Sequence, residues 1–415
     1  MSKDAFQPRS LSGIRVLDLT RVLAGPTCTQ LLGDLGAEVI KIEKPGTGDD
    51  TRAWGPPYVA GPDGPTDLSG YFLCANRNKR SVAVDLATDA GAEVIRSLAE
   101  RSDVVVENYK PGDLARRGLA YDDLSRLNPG LVWCSITGFG VDGPYSNRSG
   151  YDFLVQAMGG LMSITGEADG EPVKVGVGVA DVMCGMYATV GVLAALRHRE
   201  ATGEGQFLEV SLYDSQIAWL VNAATNHLLS GREPGRLGNR HPNIAPYQTY
   251  PALDGRLVVA VGNDTQFARF ARIAGRPELA DDDRFRTNSD RVAHVDELEA
   301  EVGPSLLADT VAGWVGKLTE AGVPSGPVAS VPEALRDPHT LARGMVIDMA
   351  RPDGRGTLKL LGNPLKFGVT PVAYDRAPPS LDADRAAVLE EVLGLSPEQM
   401  DELAQAGAFG SSSCS

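Results

Sequence analysis

Between residues 14 and 140, short β-branched runs alternate with stretches of helical periodicity, and this alternation constrains the fold more than any other feature of the chain. IRVLDLT at 14–20 leads into RVLAGPTCTQLLGDLGA, whose apolar residues recur at helical spacing, and then into EVIKIE at 38–43. The pattern repeats as SVAVDL at 81–86, the helix GAEVIRSLAERS, DVVVEN at 103–108, the helical GDLARRG and YDDLSRLN, and LVWCSITGFG at 131–140. Strands separated by helices of this length are joined by crossovers rather than hairpins, so the runs predict an α/β fold with a parallel, doubly wound sheet. Ligands of such sheets sit at the carboxyl ends of the strands, which points to TRVLAGP, EKPGTGD, ENYKPGDLARRG and TGFGVDGP. None of these contains GxGxxG, so the sheet is Rossmann-like without the usual dinucleotide loop.

A chain of 415 residues exceeds one ordinary core, and two domains are expected. The composition shifts at GREPGRLGNRHPNIAPYQTY, residues 231–250, a Gly-, Pro- and Asn-rich linker or functional loop. Beyond it lies a smaller α+β domain ending near AGVPSGPVAS, then a hairpin-like MVIDMARPDGRGTLKLLGNPLKF and a terminal helix pair. The divisions expected are 1–222, 223–330 and 331–415. A net charge of −15 argues against nucleic acid or an anionic membrane as partner. The five cysteines lack CxxC or Cys/His spacing, so neither a disulfide framework nor a zinc site is indicated, and they fit a reducing cytoplasm. No secretory h-region or membrane-length apolar run is read from the sequence, and the SSSCS tail is expected to be disordered.

Gly150 to Gly185 carries the most suggestive chemistry. Its carboxylates are Asp152 and Asp181, and VGVGVAD delivers Asp181 to the start of a helix, VMCGMYATVGVLAALRHR. Unpaired N–H groups there favour an anion, so Asp181 reads either as a helix cap or as a reactive carboxylate. Basic residues fall near the predicted ligand edge: Arg21, Lys41 and Lys44, then Arg77, Lys79 and Arg80, then Lys110, Arg116 and Arg117. In so acidic a chain they indicate a polyanionic ligand, unless they form a solvated rim. Asn76, Asn78 and Asn108 add hydrogen-bonding groups suited to a nucleotide or pantetheine, although asparagine is also common in turns. Of the histidines only His241, in GNRHPN, lies in a stretch that looks functional. There is no GxSxG elbow and no HExxH, so covalent work falls to carboxylates, which can attack an acyl thioester to give a mixed anhydride. TGFG at 137–140 and GRLGNR at 235–240, with Gly238, are candidate oxyanion-binding loops or ordinary turns.

The motifs RVLDLTRVLAGPTCTQLLGDLGAEVIKIEKPGTGDDTR, NRNKRSVAVDL, VVVENYKPGDLARRGL, SITGFGVDGPY, GYDFLVQAMGGLMSITG and VGVADVMCGMYA resemble, in this order, the class III CoA-transferases, the formyl-CoA transferase and carnitine CoA-transferase family. The resemblance runs from about residue 11 to 375. It implies a large Rossmann-like domain built from both ends of the chain, a small middle domain, and a homodimer of interlocked rings. It implies Asp181 as a nucleophile that forms an aspartyl anhydride and then an aspartyl-CoA thioester, with Tyr151 and Asp152 beside it. CoA-contacting positions carried over are Val22, Ala24, Lys44, Lys79, Asn108, Tyr109 and Arg116. Coenzyme A or acyl-CoA is substrate, with no permanently bound cofactor and no metal. Leu23 replaces the glutamine that gates the acyl site in formyl-CoA transferase, which tells against formyl-CoA and oxalate. Racemases of the same family have Gly-His-Asp where this chain has Tyr151, and without that imidazole two-base proton exchange lacks a partner. The segment from GNRHPN to TNSDRVAHVDEL is most similar to the succinyl-CoA:dicarboxylate branch, of glutarate type, with Arg240 and His241 either holding a distal carboxylate or ordering their loop. The alternatives to transfer are a 2-methylacyl-CoA racemase and a silent CoA-binding protein.

Overall fold

The computed structural model describes residues 9–62 and 64–410, so the SSSCS tail lies outside the described residues. The five runs of the first 140 residues become β1 (Arg15–Leu19), β2 (Glu38–Glu43), β3 (Lys79–Ala83), β4 (Val104–Glu107) and β5 (Val132–Thr137) of one sheet, and β6 (Phe207–Ser211) completes it. Every pairing is parallel and the order is β3-β2-β1-β4-β5-β6. In β4 and β5 all residues are buried, as expected of strands covered on both faces. From β1 the chain winds outward through β2 to β3, then restarts at β4 on the other side of β1. The loops leaving β1 and β4 therefore diverge and open a crevice at their carboxyl ends.

The helices that matter for this crevice are α1 (Ala24–Asp34), α2 (Asp89–Glu100), α3 (Asp152–Met158), α4 (Val179–Thr202) and α5 (Leu212–Ala218). α2 begins at Thr88, whose hydroxyl accepts from Gly91 N at 3.0 Å, and buries Val94, Ile95, Leu98 and Ala99. α4 is, among the described helices, the one long and apolar enough to cross a membrane by length and composition. It is nonetheless a core helix, because Ala180, Cys184, Ala188, Val192 and Ala195 form one buried stripe in the sheet's core. A Cβ on Gly185 would lie 2.5 Å from Ala24 O and 2.9 Å from Thr27 Cβ, so α4 approaches α1 closely only because this residue is glycine.

The chain divides into two compact units. The larger comprises the described residues through Gly160, Val175–Val221 and those from Leu341 onward; the smaller comprises 161–174 and 222–340. Residues 161–174, assigned by sequence to the large N-terminal part, thus belong with the smaller unit. The segment after β6 is two helices, α5 and Val221–Ser230, because the backbone turns at Trp219 and the residue that opens the second helix, Val221, takes a φ of +33°, outside the right-handed helical region. In the smaller unit Arg256–Ala260 is the centre of an antiparallel sheet with Tyr247–Pro251 and Ser325–Pro327. Its core gathers Tyr250, Leu257, Phe267, Phe270, Leu298 and Trp314. In the larger unit the expected hairpin forms from Val346–Ala350 and Thr357–Leu361, and the terminal helices are Arg385–Leu393 and Pro397–Gln405.

Under the crevice lies a cluster of fully buried charges. Lys79 Nζ donates to Asp18 Oδ2, Pro26 O and Asn76 Oδ1, each at 3.0 Å. Lys41 Nζ donates to Asp49 Oδ2 and Thr20 O, both at 2.9 Å. Burial opposes ionisation of Asp18, but the ammoniums of Lys79 and Lys41 and the hydroxyls of Thr20 and Thr29 outweigh it and hold the carboxyl at about 2. Its contribution to stability is complete above the unfolded value of 3.8 and is lost as pH falls through about 2. Removing one partner of a buried pair strands the other, so Lys79→Met should destabilise the protein by about 3–5 kcal/mol at neutral pH, read from urea unfolding midpoints. The Asp18→Asn/Lys79→Met double variant should lose less than the sum of the two single losses. Strict additivity would contradict this account.

Candidate active site

The crevice holds a cavity of about 260 Å³. Its walls are the loop after β1 (Arg21, Val22, Leu23, Ala24), the loop after β4 (Asn108 to Pro111), the end of β5 (Ile136 to Gly138), the segment ending at Gly150 and Tyr151, and Asp181. A second cavity of about 190 Å³ shares Arg21 and Tyr109 with it and adds Lys44, Asp85 and Arg117. The loop after β1 is held from beneath: Val22 N donates to Asp49 Oδ1 at 3.2 Å, and Asp49 is the partner of buried Lys41. Val22 has a φ of +72°, which a β-branched residue adopts only under constraint, and this turn aims Leu23 and Ala24 into the cavity.

Asp181 is the third residue of α4, behind the cap residue Gly178, so it is not itself the N-cap. The capping is done by Asp152, the first residue of α3, whose Oδ1 accepts from Ala180 N at 2.8 Å. Asp152 Oδ2 accepts from Gln156 Nε2 at 2.7 Å, and Gln156 Oε1 accepts from Val175 N at 2.8 Å. These bonds fasten both ends of the VGVGVAD segment and set Asp181 facing the cavity, 9% exposed. Burial, and after it the charge of Asp152, raises the Asp181 carboxyl from 3.8 to about 7. The helix start therefore does not keep Asp181 ionised, contrary to what the sequence leads one to expect.

The sequence-derived residues fall into three groups. Val22, Leu23, Ala24, Asn108, Tyr109, Tyr151 and Asp181 meet at the larger cavity, and Lys44 lines the adjoining one. Lys79 does neither: it is the first residue of β3, at the end of the strand opposite the crevice, and each of its donors has a protein acceptor. Arg77 and Arg80 share that placement, paired with Asp34 and with Glu38 and Glu391. Arg116 is exposed, pairs with Asp113 and lines neither cavity, whereas its neighbour Arg117 lines the second. Asn108 binds the backbone of Arg21, accepting from its N at 3.0 Å and donating to its O at 2.8 Å, so it ties the β4 loop to the β1 loop.

In the smaller unit Arg240 pairs with Asp296 and Glu299, and His241 Nδ1 accepts from Asn243 N at 3.0 Å, so both order their loop. In each of the two candidate glycine loops one N–H is spent on a protein acceptor. Gly140 N donates to Thr137 Oγ1 at 2.8 Å, and Gly238 N to Gly166 O at 3.0 Å. Gln156 was missed by sequence reasoning, although its i,i+4 relation to Asp152 on a helix was a usable signal. No cluster of three or more metal-binding side chains exists among the described residues.

The sequence matches CoA-transferase family III over residues 11–385. It is 47% identical to the succinate–glutarate CoA-transferase of Agrobacterium fabrum, over 92% of this chain and 95% of that one. It is 41% identical to the succinyl-CoA:glutarate CoA-transferase of Mus musculus, over 98% of this chain and 91% of that one. The crystal structure of a CaiB/BaiF family protein from Brucella suis superposes with a TM-score of 0.83 at 44% identity, covering 93% of this chain and all of that one.

The raised Asp181 carboxyl has a consequence for stability. Protein with this carboxyl keeps the added stability below the unfolded value of 3.8 and loses it as pH rises through about 7. Asp181→Asn has nothing to lose, so its advantage over the wild type should grow by a few kcal/mol between about pH 4 and pH 8, measured by urea unfolding. An advantage that stays constant over that range would contradict the desolvated carboxyl.

Proposed function

Because the chain belongs to CoA-transferase family III, we propose that it moves CoA from succinyl-CoA to a second dicarboxylic acid, glutarate first, through covalent intermediates on Asp181. The observation that carries the reading is Asp181 itself: a carboxylate set into the cavity at the sheet's switch point, accepting no hydrogen bond from a described residue. A carboxylate so little solvated is a better nucleophile than one in water.

In this reading an Asp181 oxygen attacks the thioester carbonyl, the C–S bond breaks, and CoA leaves as the thiolate, giving a mixed anhydride. The thiolate attacks Asp181 Cγ, releases succinate and leaves an aspartyl-CoA thioester. The acceptor carboxylate then attacks Cγ and expels CoA thiolate, which takes the new acyl group from the second anhydride and frees Asp181. CoA spans both cavities, with its thioester end at Leu23 and Asp181 and its phosphates near Lys44, Arg21 and Arg117. Val22 and Ala24 border the adenine or pantetheine, and Tyr109, common to both cavities, lies beside the chain that joins them. No histidine lines the larger cavity among the described residues, so racemisation would lack its second base.

The protein acts as a homodimer. On α4, Val182, Met186, Tyr187 and Val190 leave an apolar stripe in solvent, beside which Phe153 is 59% exposed, and a second copy would cover it. Incubation with succinyl-CoA should add CoA or an acyl group to Asp181, seen by intact-mass spectrometry and peptide mapping after hydroxylamine trapping. Asp181→Ala should lose at least about 10³-fold in kcat, since alanine has no oxygen with which to form the anhydride. Full activity of that variant would refute the assignment. A screen of acceptor acids should give the highest kcat/KM with glutarate.

A further inference from the structure

The two carboxylates at the head of α4 differ in what they are given to bind. Asp152 has both oxygens engaged by N–H donors, Ala180 at 2.8 Å and Gln156 at 2.7 Å. Gln156 is fully buried and is itself oriented by Val175 N, so its amide cannot turn to present an acceptor without giving up that bond. Both Asp152 oxygens thus act as acceptors of fixed N–H groups. Asp181 has no such donors. A Cβ placed on Gly178 would lie 3.7 Å from Asp181 Oδ2 and 3.8 Å from Asp152 Cγ, with Leu23 Cδ2 at 3.1 Å, so both carboxyls border one narrow, partly apolar gap.

We propose that the Ala180–Asp152–Gln156 clasp holds the Asp152 carboxylate beside Asp181, and that its charge drives Asp181 toward its acylated, uncharged form. The inference rests on the covalent reading given above. Each covalent state replaces the Asp181 carboxylate by a neutral anhydride or thioester carbonyl, so like-charge repulsion present in the free enzyme is absent from the intermediates. Asp152 is then a positioning residue twice over: its hydrogen bonds seat the helix that carries the nucleophile, and its charge biases the acylation equilibrium.

Groups on the other elements around Asp181 do not supply a compensating charge. Tyr71, on the helix Gly70–Leu73, has its phenol raised to about 12, by burial first and then by Asp181, and stays neutral. Cys184, one turn along α4, is raised further by burial and is neutral as well. Arg21, Asp50, Lys110, Asp113 and Arg148 line the same cavity. None of them is a cause of the Asp181 shift, whereas Asp152 is.

The test compares full-length wild type, Asp152→Asn, Asp152→Glu and Gln156→Leu with succinyl-CoA across about pH 5 to 9. Two quantities are read: the midpoint of the pH dependence of Asp181 acylation, and the fraction of Asp181 held as covalent adduct at equilibrium by intact mass. Asp152→Asn should move the midpoint down by about one pH unit or more and lower the adduct fraction severalfold. Gln156→Leu loosens the clasp but keeps the charge, and should slow acylation with an unmoved midpoint. Asp152→Glu should restore the wild-type midpoint. Equal midpoints and equal adduct fractions in wild type and Asp152→Asn would overturn the proposal. So would a downward shift in Gln156→Leu matching that of Asp152→Asn, which assigns the effect to helix seating alone. If Asp152→Asn fails to fold, the Asp152→Glu and Gln156→Leu comparison still decides, since a midpoint displaced in both contradicts a charge effect. Wild type that never forms an adduct overturns the covalent reading itself. The carbon-13 carboxyl titration of Asp181 in CoA-free protein then judges the clasp separately: an unchanged midpoint in Asp152→Asn refutes it.

Discussion

The crevice depends on charges that never meet solvent. Asp18, Lys41, Asp49 and Lys79 are wholly buried beneath the loop that follows β1, and the loop's turn hangs from them through Thr20 O and Val22 N. An apolar cluster of the same volume would be at least as stable, because desolvating ions is expensive. What it would not provide is direction. An ammonium with three acceptors and a carboxylate with several donors admit few arrangements, and this one joins β1, β2, the segment after β2 and the segment before β3 into a single geometry. The φ of +72° at Val22 is held by that geometry, and Leu23 and Ala24 follow from it into the cavity.

The same cluster explains where sequence reading succeeded and where it failed. The alternation of apolar runs and helices predicted the parallel sheet, and the crevice loops after β1 and β4 were named from it, because a strand's direction fixes which end carries the ligand. Lys79, Arg77 and Arg80 were read as part of a basic ligand edge because they lie close in sequence to a strand. Direction was the missing information: they enter β3 instead of leaving it, and their carboxylate partners, Asp34 and Asp18, stand 43 and 61 positions away. Pairing over such separations has no local signature. Asn108 shows the complementary case, since it does reach the crevice but spends its amide on the backbone of Arg21. Proximity to a site was legible; commitment to another partner was not.

The helix bearing Asp181 illustrates how one glycine sets the position of a cavity-lining carboxyl. Gly185 lets α4 settle against Ala24 and Thr27 of α1, which brings the first turn of α4 up to the loop after β1. A larger side chain would separate the two helices just where Leu23 and Asp181 line one cavity. The gain in packing and the placement of the carboxylate are therefore one structural event, and neither appears in a count of apolar residues.

Asp152 and Asp181 are the same residue type at the head of one helix, and intrinsic preference treats them alike, since a helix start attracts any anion. The structure separates them by allotting donors. Asp152 reaches the Ala180 N–H from outside the helix and gains a second N–H from Gln156, while Asp181, inside the first turn, receives neither. Solvation then does the rest: the carboxyl without donors is costly to ionise in a buried site. A residue kept from its preferred partners in this way carries free energy that chemistry at its own oxygen can release. In the covalent reading proposed above, bonding an acyl group to Asp181 would remove a charge that neither water nor the protein has stabilised, whereas the same reaction at Asp152 would break two hydrogen bonds. Hydrogen-bond supply, not residue type, thus distinguishes the two carboxyls at the head of α4.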